Sequence, residues 1–221
     1  MAILVEVRGL VEVPAAARVG PDSIRAFVAI ELPDEVKADL ERQVAALRQA
    51  NVRGLRLVRP EAVHLTLKFL GEVSHPQVVQ VSEAVKCVSA DHEPFSLGLA
   101  DVGMFPPRGP ARVLWVGVGG DVEALAALQR NIEEALTAVG FAKEGRRFTP
   151  HLTLARINDN ATFDERKKAA DAHRTAWSPS GCRMHAEAVN LMRSHLNADG
   201  ATYERLARIP LGRRAVRGSA G

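Results

Sequence analysis

Apolar and polar positions along the chain follow two periods, and the changes of period mark out the elements. From Arg25 to Glu31 the residues are apolar and suited to a pleated sheet, which predicts a buried strand and places the start of the folded body near Ser23. After Pro33 and Asp34, Val36, Leu40, Val44 and Leu47 recur at helical spacing, with Gly54 beyond the stop. Leu55–Val58 and Val63–Leu70 predict two further strands, Pro76–Ser89 a second helix with Ser74 available as its cap, and Phe95–Val102 another strand. The segment from Phe105 to Pro110 is too rich in Pro and Gly for a ladder and reads as a loop into the strand Val113–Val118. The clearest helix follows, with Asp121 as N-cap, Leu125, Leu128, Ile132, Leu136 and Val139 along one face, and Gly140 at the stop. His151–Ala155 predicts a short strand and Phe163–Ala172 a weaker helix. Cys182–Leu196 and Thr202–Leu211 predict strands flanking a turn at Asn197–Gly200. Strands and helices are mixed throughout, which is the pattern of an α+β protein. Residues 1–22 show no clear element and are read as an N-terminal extension, and residues 212–221 as a basic, solvated C-terminal tail.

Composition narrows the function classes. At 221 residues, with 47% hydrophobic and 25% charged, the chain has the globular average and is neither disordered nor fibrous. The net charge of +3 permits an anionic partner without indicating a polybasic coat. Only 7 Phe, 2 Trp and 1 Tyr are present, which argues against a surface built to stack successive bases along an extended strand. Cys87 and Cys182 form no Cys-x-x-Cys pair, so neither a disulfide framework nor a cysteine zinc site is signalled, and a cytoplasmic location is expected. Nothing approaches the run of ~18 apolar residues that a membrane span needs; the stretch from Met1 to Val13 is broken by Glu6, Arg8 and Glu12, so no signal peptide, anchor or membrane partner is expected.

The candidate chemistry comes from a repeat. His-Leu-Thr-Leu occurs at His64–Leu67 and again at His151–Leu154, each time in a strand-like context. Alternate side chains of a strand share a face, so His64 lies beside Thr66 and His151 beside Thr153, while the leucines face a core. One His-x-Thr pair is ordinarily just a half-exposed sheet face; recurrence points to a duplicated lobe carrying half a site each. Basic residues flank both copies: Arg53, Arg56, Arg59 and Lys68 near the first, Lys143, Arg146, Arg147 and Arg156 near the second. Many are expected to be plain solvated charges. Arg156, at the exit of its strand, is the best candidate to fork onto phosphate oxygens.

These motifs carry a family resemblance. Residues 61–71 around the first copy and 148–156 around the second resemble the 2H phosphoesterase superfamily, and within it the RNA 2′,3′-cyclic phosphodiesterases, also called 2′-5′ RNA ligases. Residues 25–33, 105–108, 112–118 and 203–211 extend the likeness, which covers about Ile24 to Leu211. It implies a single bilobal domain over residues 23–211, with two related antiparallel sheets facing a central cleft, one His-x-Thr on each wall and helices outside. It also implies a substrate, RNA with a 2′,3′-cyclic phosphate end, tRNA fragments among the candidates, and a product carrying a 2′-phosphate. The reverse reaction with a 5′-hydroxyl would form a 2′-5′ linkage.

The residues fit that chemistry. One imidazole can activate water while the other protonates the leaving ribose oxygen, and the hydroxyls of Thr66 and Thr153 with Arg156 can hold the phosphate oxygens. His151 is taken as the base and His64 as the acid, although the symmetry of the motifs leaves that choice open. No cofactor or metal is expected. Metal-dependent hydrolysis would want another His or a carboxylate where each motif has Thr, and a P-loop is excluded because Gly117–Gly120 leads into Asp121 rather than Lys. Two alternatives stay open, a non-catalytic RNA or nucleotide-binding module and a phosphodiesterase for a small cyclic nucleotide. The remaining histidines, His75, His92, His173, His185 and His195, are expected to be incidental, and the protein is expected to be a monomer.

Overall fold

The computed structural model describes residues 23–178, 181–197 and 200–212. The readings made above for residues 1–22 and for the tail beyond Gly212 lie outside this range. In chain order the elements are β1 (Ile24–Glu31), α1 (Asp34–Gln49), β2 (Leu55–Leu57), a 3-10 turn (Pro60–Ala62), β3 (His64–Val73), α2 (His75–Ser89), β4 (Phe95–Phe105), β5 (Val113–Gly120), α3 (Val122–Ala138), β6 (His151–Ile157), α4 (Phe163–Ala176), β7 (Arg183–Ala186), β8 (Ala188–Asn197) and β9 (Gly200–Pro210). The strands form two antiparallel sheets, ordered β3-β1-β8-β9 and β2-β6-β5-β4-β7. Helices cover the outer faces: α2 packs on β8 and β9, α3 reaches β3 and β4, and α1 with α4 lies against β2, β6 and β4.

The helices bury the residues whose spacing predicted them, except Val139, which lies past the end of α3 and is exposed. Val36, Leu40, Val44 and Leu47 of α1 and Leu125, Leu128, Ile132 and Leu136 of α3 are at most 1% exposed. Their core is continuous across both sheets. Ser74 caps α2 as expected, its backbone N–H donating to Gln77 Oε1 at 2.9 Å. Asp121 stands at the N-cap of α3, but its carboxylate accepts from the Ser96 N–H at 2.9 Å, tying α3 to β4 rather than capping the helix. The helix read as weak, α4, runs four residues further than expected. A reciprocal pair between Thr162 and Glu165 closes its first turn. The buried guanidinium of Arg166 donates to the carbonyls of Ala161, Ala111, Asn158 and Asp159, fixing α4 to the loops beneath it.

One expected strand is in fact two. Residues 182–196 divide at Glu187 into β7, which pairs with β4, and β8, which pairs with β1 in the other sheet. Alternating burial in β7 gives way to five consecutive buried residues in β8, because the chain leaves an edge and enters the middle of a sheet. Asn197 and Gly200 pair at the end of the β8–β9 hairpin, and the two residues between them lie outside the described range.

Lys68, expected among the cations near the first motif, is instead buried on the core side of β3. Its Nζ donates to Glu133 Oε1 at 2.6 Å and to the Ala142 carbonyl at 2.8 Å, and the same carboxylate oxygen accepts from the Glu144 N–H at 2.8 Å. A buried charge stripped of its partner is costly, whereas a buried pair replaced by apolar groups is close to neutral. Lys68→Met is therefore expected to lower unfolding stability by about 3 kcal/mol, and the double variant Lys68→Met/Glu133→Leu to recover most of that loss, as read from urea denaturation midpoints.

Candidate active site

The two motif strands are built alike. In β3 the pairing with β1 runs from Ala29↔Thr66 to Val28↔Lys68, leaving Leu67 as an extra residue. In β6 the pairing with β5 runs from Trp115↔Thr153 to Leu114↔Ala155, leaving Leu154 extra. The bulge thus falls at the fourth motif position in both copies. A bulge resets the alternation of faces. After it, the fifth residue (Lys68 or Ala155) turns to the core and the sixth (Phe69 or Arg156) returns to the face of the His and Thr. Burial over the six residues has the same pattern in both strands, half-buried His and Thr, buried Leu, buried fifth residue, exposed sixth.

This explains why Arg156 shares a face with His151 and Thr153 despite the wrong parity of its number. Its charge acts on His64, His151 and Tyr203 together, which places it where the two sheets meet. Of the other cations flanking the motifs, Arg53 lies 3.8 Å from Glu165 and Arg146 3.1 Å from Glu144, with Lys68 buried as above.

Both histidines are held in the same way. His64 Nδ1 lies 3.0 Å from the Ala62 carbonyl and His151 Nδ1 2.7 Å from the Thr149 carbonyl, in each case two residues back. A carbonyl only accepts, so Nδ1 carries the hydrogen and Nε2 is the free nitrogen. Among the described residues neither Thr66 nor Thr153 makes a side-chain hydrogen bond, leaving both hydroxyls available to a ligand.

Aromatic rings complete each setting. His64 stacks on Phe27 at 4.5 Å and meets the edge of Tyr203 at 4.8 Å, and Phe27 also touches Phe69 at 6.0 Å. His151 meets Phe105 edge-on at 4.9 Å and Trp115 at 6.0 Å. The Trp115 indole lies over Gly103, where a side chain would collide with the ring, so that position requires glycine. Half of the ten aromatic residues of the chain surround these two imidazoles. Their scarcity elsewhere was the available signal. Apolar periodicity assigned the rings simply to strands, so none stood out as a site residue.

The same rings strip water from the imidazoles. Burial pushes His64 down to about 4, opposed by its bond to Ala62, with a smaller lowering by Arg156 and raising by Glu31. His151 is also lowered, first by burial and then by Arg156, against its bond to Thr149. Tyr203 is raised by burial. Among the histidines expected to be incidental, His173 is buried in α4. Its Nδ1 is 3.2 Å from Gln43 Nε2 and its Nε2 3.0 Å from the Trp115 carbonyl, so it joins α1, α4 and β5. His195 lies 3.0 Å from Glu204 Oε2, and His92 Nε2 3.0 Å from Asn131 Nδ2. Among the described residues no group of three or more His, Cys, Asp or Glu is placed to hold a metal ion, and no helix is long and apolar enough to cross a membrane.

The arrangement resembles known proteins along most of its length. An RNA 2′,3′-cyclic phosphodiesterase of Methanocaldococcus jannaschii is 29% identical over 181 residues, covering 82% of this chain and 97% of that protein. One of Archaeoglobus fulgidus is 31% identical over 183 residues, covering 83% and 98%. Among solved structures, a protein of Thermus thermophilus superposes with a TM-score of 0.67 at 29% identity, covering 86% of this chain and all of that one. Escherichia coli LigT complexed with 3′-AMP gives 0.64 at 25% identity, covering 86% and 98%. The family model of the 2′-5′ RNA ligase superfamily matches residues 26–198, a span that includes both bulged His-x-Thr strands, and the chain belongs to that superfamily.

Proposed function

We propose that the protein hydrolyses the 2′,3′-cyclic phosphate at an RNA end to a 2′-phosphate without a metal ion, with residues 23–211 acting as one unit. The observation that carries this reading is the matched pair of imidazoles, each with Nδ1 tied to a carbonyl and Nε2 free, on the neighbouring strands β3 and β6 of the two sheets. Opening a cyclic diester by in-line attack needs a base on one side of phosphorus and an acid on the other. Water adds to phosphorus as the base takes its proton, the bond from phosphorus to O3′ breaks, and the acid gives its proton to O3′. Thr66, Thr153 and Arg156 hold the non-bridging oxygens as negative charge grows. Phe69, the counterpart of Arg156 on the first strand, offers an exposed ring beside the site. The names of the relatives support the reaction, and the superfamily name agrees with a reverse step in which a 5′-hydroxyl replaces water to form a 2′-5′ linkage.

Burial favours a particular division of labour. His64, enclosed by Phe27 and Tyr203, is the harder of the two to charge. We therefore assign His64 as the neutral base and His151 as the acid, the reverse of the division taken from the motifs. A non-catalytic binding module would need neither the free Nε2 atoms nor their shared orientation.

The first test is incubation with an RNA oligonucleotide ending in a 2′,3′-cyclic phosphate, in the presence of chelator. Conversion to the 2′-phosphate is expected, with His64→Ala and His151→Ala each losing about 10²-fold or more in kcat while keeping the parent melting temperature; full activity in either variant would remove the two-histidine mechanism. An aryl phosphodiester, whose nitrophenolate leaves without a proton, separates the roles. His151→Ala is expected to retain more activity on it than His64→Ala. The pH profile of kcat/KM provides a third check. A neutral base makes kcat/KM rise with pH through the lower ionisation, and a protonated acid makes it fall through the higher one. Both are depressed, the first to about 4, so the expected profile is a bell with its optimum below pH 6.5.

A further inference from the structure

Directly across from Arg156 on the neighbouring strand β2 stands Arg56. Residues opposed in an antiparallel pair share a face with their Cβ atoms about 5 Å apart, and like charges so placed repel. Among the described residues neither arginine makes an ion pair or a side-chain hydrogen bond, and both are exposed. Arg53, Lys68 and Arg146, by contrast, have acidic neighbours. Two unneutralised guanidinium groups on one sheet face are an arrangement that an anion on each, or one between them, relieves. The two are not equivalent. Arg156 influences both motif histidines, whereas Arg56 influences neither and sits one strand further out, on the edge strand of its sheet. An anion at Arg56 is therefore a second one, beyond the reacting phosphate.

We propose that Arg56 binds the phosphate on the 5′-oxygen of the same ribose whose 2′,3′-cyclic phosphate lies between His64 and His151. This rests on the phosphodiesterase reading and sharpens its substrate class. In a polynucleotide that 5′-phosphate is the linkage to the rest of the strand, and a free nucleoside 2′,3′-cyclic phosphate lacks it. The guanidinium suits the task because its fork can engage two oxygens of one phosphate while the rim position leaves room for the strand to continue into solvent.

The test compares adenosine 2′,3′-cyclic phosphate with and without a 5′-phosphate. In the parent protein the 5′-phosphate is expected to raise kcat/KM about tenfold, a gain that shrinks as ionic strength rises. In Arg56→Gln the ratio of the two substrates is expected to fall to near one, and in Arg56→Lys to an intermediate value. An unchanged ratio in Arg56→Gln, or no gain in the parent protein, overturns the assignment. If the parent protein turns over neither mononucleotide, the phosphodiesterase reading is decided by the RNA oligonucleotide above, failing if that too stays intact, and the subsite is judged by calorimetry alone. About tenfold tighter binding of adenosine 2′,5′-bisphosphate than of adenosine 2′-monophosphate, lost in Arg56→Gln, supports it; equal affinities overturn it. Arg56 is exposed on a three-residue edge strand, and unchanged circular dichroism melts confirm that the variants are folded.

Discussion

A strand presents every second residue to one face, and this protein breaks that rule at the same place in both motif strands, with a second break further along β3 at Leu70. The extra residues Leu67 and Leu154 let His, Thr and the residue three beyond Thr share a face while four apolar side chains stay in the core. Without the bulge in β6, Arg156 would point into the core, where a guanidinium has no carboxylate to meet. Without the bulge in β3, Lys68 would enter the cleft and Phe69 the interior. The candidate site is in this sense a property of register: which side chains share its face depends on two unpaired leucines.

The two copies then diverge in what surrounds their histidines. Identical carbonyl contacts fix the tautomer of both imidazoles, so the backbone makes them equal. Side chains around them make them unequal. His64 is enclosed by Phe27 and Tyr203, stacked and edge-on, and loses more hydration than His151, which has Phe105 and Trp115 at greater centroid distances. The sixth position contributes an uncharged ring on one wall and a permanent cation on the other. The repeated strand thus supplies symmetry in position and asymmetry in proton affinity, the two properties that the proposed acid–base pair would use.

Much of this was legible in the sequence, for identifiable reasons. Helical spacing located α1, α2 and α3, because each buries one continuous stripe, and the repeated tetrapeptide located both histidines and threonines, because exact repetition needs no knowledge of the fold. The errors arose where tertiary structure overrides local pattern. Lys68 read as one more open cation beside the first motif because its burial depends on a bulge and on a carboxylate 65 residues away. The division at Glu187 was hidden because both strands are apolar and the difference between them is which sheet receives them. His173 looked incidental because its partners, Gln43 and the Trp115 carbonyl, lie in other elements. The aromatic enclosure was invisible for the same reason, since its rings come from β1, β3, β4, β5 and β9.

The sheets do not respect the halves of the chain. β2, from the first half, forms the edge of the second motif's sheet, while β8 and β9, from the second half, complete the first motif's sheet. Each wall of the cleft is therefore laced to the other by the covalent chain and by a core that runs through both. Two lobes joined by one linker could swing apart on a hinge, as many enzymes do to admit and release substrate. Here the chain crosses between the sheets four times, so such a swing would strain four connections and open the core that both sheets share. The relative position of the two imidazoles is thus set by the fold of the whole chain rather than by a single joint.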